Sequence, residues 1–515
     1  MIFTRFKNHL AGWRKWELNP IVIKELRQAV RSWAVTGMLL LFLTVLFITS
    51  LVVLVNQSLN VNEDAELGRQ MFQMFTVILA GASILFIPLY IGGRLGAERM
   101  ESNHDLLYVS TLSPVRIIRG KFFCGAYLAL LFFSVCLPFM TLTNLLRGID
   151  LPSVFFILAV LFLVVCALNQ VAIFLACLPL NRAFKLLLAL GGFFCSFWII
   201  AGLMTISLEM TRSGIGSMMG RREFWAGFST VVGVGLALTG LLHVLSIALI
   251  SPASANRAWL PRLYITIIWL LGAGLSLTWA IQIKTPEVVF AWTFPMFFIL
   301  ALALLATIAN TDHLGPRIRR DIPRSWLRRF LAFPLFNGAA SGLVWVAGLT
   351  SITFLFTEFT QRYATTWLPS SLHRSAEEQL KITLFTLITI LYAFAYSLTG
   401  LFLHRKFLAK RPEKVAPLLT VILIALWALA PGILRFFENK LSWRSLEGLQ
   451  LGNVFNIFTL EEHSQWMAHL YFALGWLVLM LALSAPWFWR QWQNFQPLRE
   501  ATPPPLNPEA PVSEP

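Results

Sequence analysis

Charge is scarce in this sequence. Asp, Glu, Lys and Arg together make up 13% of its 515 residues, whereas hydrophobic types make up 57%. Soluble domains carry about 25% charged residues, and an apolar excess of this size would leave aggregating patches unless lipid covered them. A water-soluble chain is therefore excluded. Cysteine is also sparse, and Cys124, Cys136, Cys166, Cys177 and Cys195 all fall in or beside apolar runs without metal-ligand spacing. They read as small core residues rather than a disulfide framework or a metal site. The phosphate-binding pattern G-x-x-x-x-G-K-[ST] is missing, since Gly120-Lys121 is followed by Phe122 and lacks the upstream glycine. Any ATP-driven work would need a separate polypeptide.

Ionisable residues are nearly absent from the apolar runs, which argues against proton-coupled transport and intramembrane hydrolysis, because charges there are costly and kept for use. His243 is the central candidate, and an isolated histidine of this kind also serves as a hydrogen-bonded interior residue. Asn144, Asn169 and Gln170 are polar enough to line a path or to join neighbouring helices. Glu461, Glu462 and His463 are adjacent on one loop, and His104 with Asp105 on another; both groups read as solvated, and no metal or cofactor is expected.

What the sequence has in abundance is long apolar runs. A spanning helix needs about 20 apolar residues. About twelve such runs follow one another, predicting an all-α polytopic membrane protein. An amphipathic segment at 1–33 precedes a first group of six spans at 34–250, a second group follows at 251–490, and 491–515 is a tail. No cleavable signal is expected, and the Pro-rich stretch 501–515 is too poor in apolar residues to build a core. More than two thirds of the 41 Lys and Arg fall on the segments of one alternate set, the set that holds both termini. Basic residues collect in cytoplasmic loops, so both termini are expected in the cytoplasm, and the net charge of +16 reports topology rather than a nucleic-acid partner.

Two segments carry more information than the spans. In ELNPIVIKELRQAVRSW, Asn19 followed by Pro20 is a helix start, an N-cap side chain before a residue pre-set for the first turn. Val22, Leu26, Ala29, Val30 and Trp33 recur on one face, and Lys24, Arg27, Gln28 and Arg31 on another, which predicts an interfacial helix. A plain juxtamembrane anchor would use the same residue types. The loop of 94–121 after the second span is longer than a reversal needs. It predicts one helix from Glu98 to Val109, with Leu106, Leu107 and Tyr108 as an apolar cluster, and another from Ser113-Pro114 into the third span. Such a loop either rests on the membrane or presents apolar and acidic groups to a cytoplasmic partner.

Asn19, Pro20, Glu25, Leu26, Arg27 and Arg31 before the first span, with Glu98, Arg99, Glu101, Leu106, Leu107, Leu112, Ser113, Gly120 and Lys121 after the second, resemble the type-2, exporter-class permeases of ABC transporters. The resemblance covers roughly the first 250 residues and departs from the family's Gly-Thr at Asn103 and His104. It implies an elbow helix at the amino terminus. It also implies a coupling helix in the loop, with Glu98, Arg99, Glu101, Leu106, Leu107 and Tyr108 receiving a separate ATPase, expected as a dimer. A second copy of the chain or a second permease would be a further partner, lipid the surroundings, and a bacterial cytoplasmic membrane the place.

The second group of spans starts on the same side as the first. Its loop DHLGPRIRRDIPRSWLRRFLAF therefore stands where the docking loop stands in the first group, and one chain would supply two six-span units in parallel orientation. Arg317, Arg319, Arg320, Arg324, Arg328 and Arg329 in that loop equally suit a positive-inside anchor. Against the permease stands a polytopic scaffold or passive transport protein with no ATPase. A membrane-embedded transferase is disfavoured, because no loop collects acidic and histidine residues.

Overall fold

The computed structural model describes residues 20–59, 67–100, 113–146, 149–213, 219–252, 254–367, 375–437, 450–460 and 462–498. The protein is an all-α, multi-pass membrane protein. Among the described residues there is no strand, and twelve helices are long and apolar enough to cross a bilayer. Helical structure is forced here, because a backbone in hydrocarbon must satisfy every N–H and C=O within its own segment. The spans are apolar all round, and many leucines, phenylalanines and valines on them are exposed on the protein surface, as lipid-facing positions should be.

The chain divides into two units, residues 1–252 and 253–515. In the first, α1 (Pro20–Val30) is short, and the chain turns at Arg31 and Ser32 before the first span, α2 (Trp33–Leu59). The second span is composite. It runs as α3 (Leu67–Gly81), a π-helical turn at Ala82–Phe86, and α4 (Ile87–Met100). Pro88 explains the wide turn, since its ring would clash with the carbonyl four residues back and it brings no N–H to bond it. The remaining spans are α5 (Pro114–Leu145), α6 (Leu151–Cys177), α7 (Arg182–Ser213) and α8 (Arg222–Ile250).

The second unit holds α9 (Trp259–Ile283) and α10 (Glu287–Ile308), then two short helices, α11 (Pro316–Arg320) and α12 (Trp326–Ala332). A 3-10 turn at Phe333–Leu335 leads into α13 (Ala339–Trp367), followed by α14 (Ala376–Phe407), α15 (Val415–Phe437) and α16 (His463–Asn494).

Within each unit the same spans are neighbours. The first touches the second and third; the second touches the third, fourth and fifth; the third touches the fourth and sixth; and the fourth touches the fifth and sixth. The fourth span, α6 in one unit and α14 in the other, is thus the hub, and it carries buried polar groups. Gln170 on α6 bonds α8, while Tyr392 on α14 bonds His469 of α16 at 2.9 Å. None of the five cysteines forms a disulfide. Cys124, Cys136 and Cys177 are buried as expected of core residues, whereas Cys195 is exposed on a lipid-facing span.

Candidate functional site

The first-unit spans meet α1 at the face where the first span starts, and the residues there form one polar assembly. On α5, Ile118, Lys121, Cys124, Leu128 and Phe132 make a buried stripe at helical spacing, so Lys121 places its ammonium inside the protein with 2% exposure. On α1, Ile21, Val22 and Ala29 are buried against the protein, and Glu25 sits in the middle of that face, 4% exposed. Lys121 Nζ donates to Glu25 Oε1 at 2.8 Å and to Glu98 Oε1, at the end of the second span, also at 2.8 Å. Arg94, one turn before Glu98, adds a second tie. Its Nη2 donates to Gln28 Oε1 of α1 at 2.7 Å and its Nη1 to Tyr90 Oη at 2.9 Å.

A lysine enclosed by two carboxylates meets the condition under which buried charge is tolerated, namely pairing with its hydrogen bonds made. The arrangement locks three elements: α1, the end of the second span and the start of the third. The residues 101–112 connect the last two of these, so the lock closes over both ends of that loop.

The polar groups continue inward from the lock. The carbonyl of Phe122, next to Lys121, accepts from Asn169 Nδ2 of α6 at 3.2 Å. Gln170 Oε1 lies 3.0 Å from His243 Nδ1, which requires the ring proton on Nδ1, and Gln170 Nε2 donates to Ser246 Oγ at 3.3 Å. Asn169 and Gln170 are fully buried. Asn169 Oδ1 has no partner among the described residues. Lys121, Phe122, Asn169, Gln170 and His243 therefore link the third span to the hub, and the hub to the sixth span.

Gly125 makes this close approach possible, because a Cβ there would collide with the Asn169 amide. Gly125→Ala is expected to destabilise the protein by about 1–3 kcal/mol as an overpacked core site, and much less in an Asn169→Ala background. Melting temperatures of the two single variants and the double variant, measured in detergent, check this.

Of the residues singled out from the sequence, Glu25, Glu98, Asn169, Gln170 and His243 come together here. Leu26 is half-buried on α1, and Arg27 and Arg31 are exposed. Val30 and Trp33 are exposed at 63% and 85%, and the chain turns at Arg31 and Ser32 before Trp33 opens the first span. Glu98 belongs to α4, continuous with the second span, rather than to a separate helix starting there. Asn144 stands apart from this assembly. Its Nδ2 donates to the Ile149 carbonyl at 2.6 Å and closes the turn between the third and fourth spans. His243 lies well inside the sixth span, and Arg262, Glu358 and His469 lie within span helices nearer their ends. Asn19, Glu101, Asn103, His104, Asp105, Leu106, Leu107, Tyr108, Val109, Leu112, Glu461 and 501–515 lie outside the described residues, as does the side chain of Arg99.

Sequence reasoning missed Arg94 and Gln28 as partners, and it did not pair Lys121. The available signal was a charge in an apolar stripe: Glu25 between Val22 and Ala29, and Lys121 between Ile118 and Leu128. No family model, no curated protein and no solved structure matches the chain.

Proposed function

We propose that the chain is the membrane-spanning subunit of an ATP-driven transporter of the type-2 ABC permease kind, working with a separate ATPase dimer that docks on the loop of 94–121 through Glu98 to Val109. One observation carries the reading. The two sequence segments that resemble that family, one before the first span and one after the second, meet at a single buried lysine, Lys121, through Glu25 and Glu98. A docking loop does work only if force on it reaches the spans. The lock supplies a path, since displacing Glu98 pulls on Lys121, whose ion pair with Glu25 is buried. From Lys121 the third span is tied to the hub through Asn169, and the hub touches four other spans of its unit.

On this reading the face carrying α1 is cytoplasmic, in keeping with the positive-inside distribution of Lys and Arg, and the membrane is a bacterial cytoplasmic one. Two units with the same neighbour plan support one chain that provides both six-span portions of the permease. The chain itself hydrolyses nothing; the ATPase does.

Purification of the tagged chain from its native membrane in mild detergent, with mass spectrometry and an ATPase assay of the eluate, tests the proposal. An ATP-hydrolysing partner is expected, and Leu106→Asp/Leu107→Asp is expected to remove it while the chain still inserts, because both residues fall between the apolar runs of the sequence. Recovery of the chain without an ATPase, under conditions that preserve a known transporter complex, would leave the scaffold reading in its place.

A further inference from the structure

The loop between the second and third spans of the second unit folds into a small cap. Leu314, Ile318, Ile322, Phe333, Phe336 and Phe495 form its core, with Trp487, Phe488 and Trp492 of the last span packed against it. Asp312 pins the cap to its unit: Arg405 Nη2 donates to Asp312 Oδ2 at 2.6 Å, as does Trp487 Nε1 at 3.0 Å. The helix α12 on this cap behaves differently from its neighbours, because none of its residues is buried. Trp326, Leu327, Phe330 and Leu331 are 64%, 60%, 55% and 64% exposed. At 100° per residue they fill one continuous arc, and Arg328 and Arg329 take the opposite arc. Arg317 and Arg320 of α11 are exposed on the same cap.

Such an apolar face needs a cover, and two features say what covers it. Its depth is set by aromatic side chains, since Phe330 and Phe333 pack on Trp492, with ring centres 5.9 and 5.1 Å apart, at the end of the last span. Trp487, Trp489 and Trp492 mark that end as the membrane–water boundary, where tryptophan collects. The charge around the face is basic, with six arginines between 317 and 329 against Asp321 as the one acid. We infer that α12 lies in the membrane interface with Trp326, Leu327, Phe330 and Leu331 among the acyl chains, and that the arginines of the cap bind anionic lipid headgroups. This loop, which stands where the docking loop stands in the first unit, is thereby committed to lipid. Lipid docking here holds with or without an ATPase partner.

The full chain carrying Leu327→Cys, with Cys166→Ser and Cys195→Ser to remove the accessible background, is labelled with bimane. It is then placed in vesicles of phosphatidylcholine alone or mixed with phosphatidylglycerol. Quenching by doxyl-labelled lipid is compared with quenching by acrylamide from water, and Leu355→Cys on the lipid-facing side of α13 serves as the reference. Doxyl lipid is expected to reach the bimane on α12 in the mixed vesicles and acrylamide to be excluded. Arg320→Gln/Arg328→Gln should shift the docked fraction toward free by roughly fivefold for each charge removed. Leu331→Cys repeats the reading from the same arc should the first variant fail to fold. Equal quenching in both lipid mixtures would overturn the requirement for anionic headgroups. Acrylamide access in both would overturn membrane docking, and shielding from both quenchers by a co-purified protein would make the face a protein interface instead.

Discussion

Lys121→Met is expected to destabilise the protein by about 3–5 kcal/mol, the penalty for removing one partner of a buried ion pair and stranding the other. The size follows from Glu25. Its side chain is 6% exposed and has water on almost no side, so without Lys121 a carboxylate stays buried against α5 with its charge unmet. The stability loss should therefore depend on Glu25 and scarcely on Glu98, whose side chain is 40% exposed and keeps access to water. Glu98→Gln alone should cost no more than about 1 kcal/mol. Glu25→Gln introduced into Lys121→Met should recover most of the stability, because an amide in that position is far cheaper to bury than an ion. Thermal unfolding followed by size-exclusion chromatography in detergent, on the two single variants at Lys121 and Glu98 and the double variant, reads this ranking. A Lys121→Met protein that melted with the parent would show that the lock holds nothing.

The same series separates stability from coupling. In the transporter reading Glu98 stands at the end of the docking loop, and Glu98→Gln leaves Lys121 and Glu25 paired. A folded Glu98→Gln protein whose bound ATPase no longer responds to substrate would place the transmission step at that carboxylate.

Much of this architecture was legible in the sequence, and the reasons are physical. Lipid imposes a length and a composition on every crossing segment, so the spans announce themselves one at a time without knowledge of their neighbours. Ser113-Pro114 likewise speaks locally, and a helix does begin at Pro114, while the segment before the first span is helical from Pro20, the first described residue. What could not be read is pairing. Glu25 and Lys121 are 96 residues apart, and nothing local in either segment says that they face each other. Asn144, Asn169 and Gln170 look alike in composition, yet one closes a turn and the others join helices, a difference made entirely by which helix lies opposite. The wide turn at Ala82–Phe86 had its signal in Pro88, but whether a proline in a span kinks, widens or ends a helix depends on packing. Arg262 is the clearest case: at the start of a span it reads as one more positive-inside charge, and the fold buries it.

Arg262→Met is accordingly expected to rival Lys121→Met in cost, about 3–5 kcal/mol, through oxygens rather than carboxylates. Arg262 is 3% exposed. Its Nη1 donates to the carbonyls of Pro334 and Phe336 at 2.7 and 2.6 Å and to Ser341 Oγ at 3.2 Å, and its Nη2 donates to the Gly338 carbonyl at 3.3 Å. Those carbonyls belong to the irregular turn between the cap and α13, where the helix ladder begins only at Gly338, whose carbonyl takes the Gly342 N–H at 3.2 Å. A methionine would fill the volume and remove the donor that the guanidinium supplies. Ser341 Oγ already donates to Phe336 and Gly338, which softens the loss at those two, so Pro334 is the oxygen left most open to the penalty. Space is equally constrained, since a Cβ on Gly342 would stand 2.6 Å from Arg262 Nη2 and 2.5 Å from Thr307 Cγ2. Arg262→Lys should restore only part of the stability, because a single ammonium cannot span the separated acceptors that the planar guanidinium reaches together. Asn337 stitches the same turn to the start of α9 through Ala258 and Ala255, so the damage should stay local. Hydrogen exchange in Arg262→Met should rise first over 333–341, ahead of the spans on either side. Exchange unchanged in that turn, with a stability within about 0.5 kcal/mol of the parent's, would mean that these carbonyls find water and that Arg262 is not their donor of consequence.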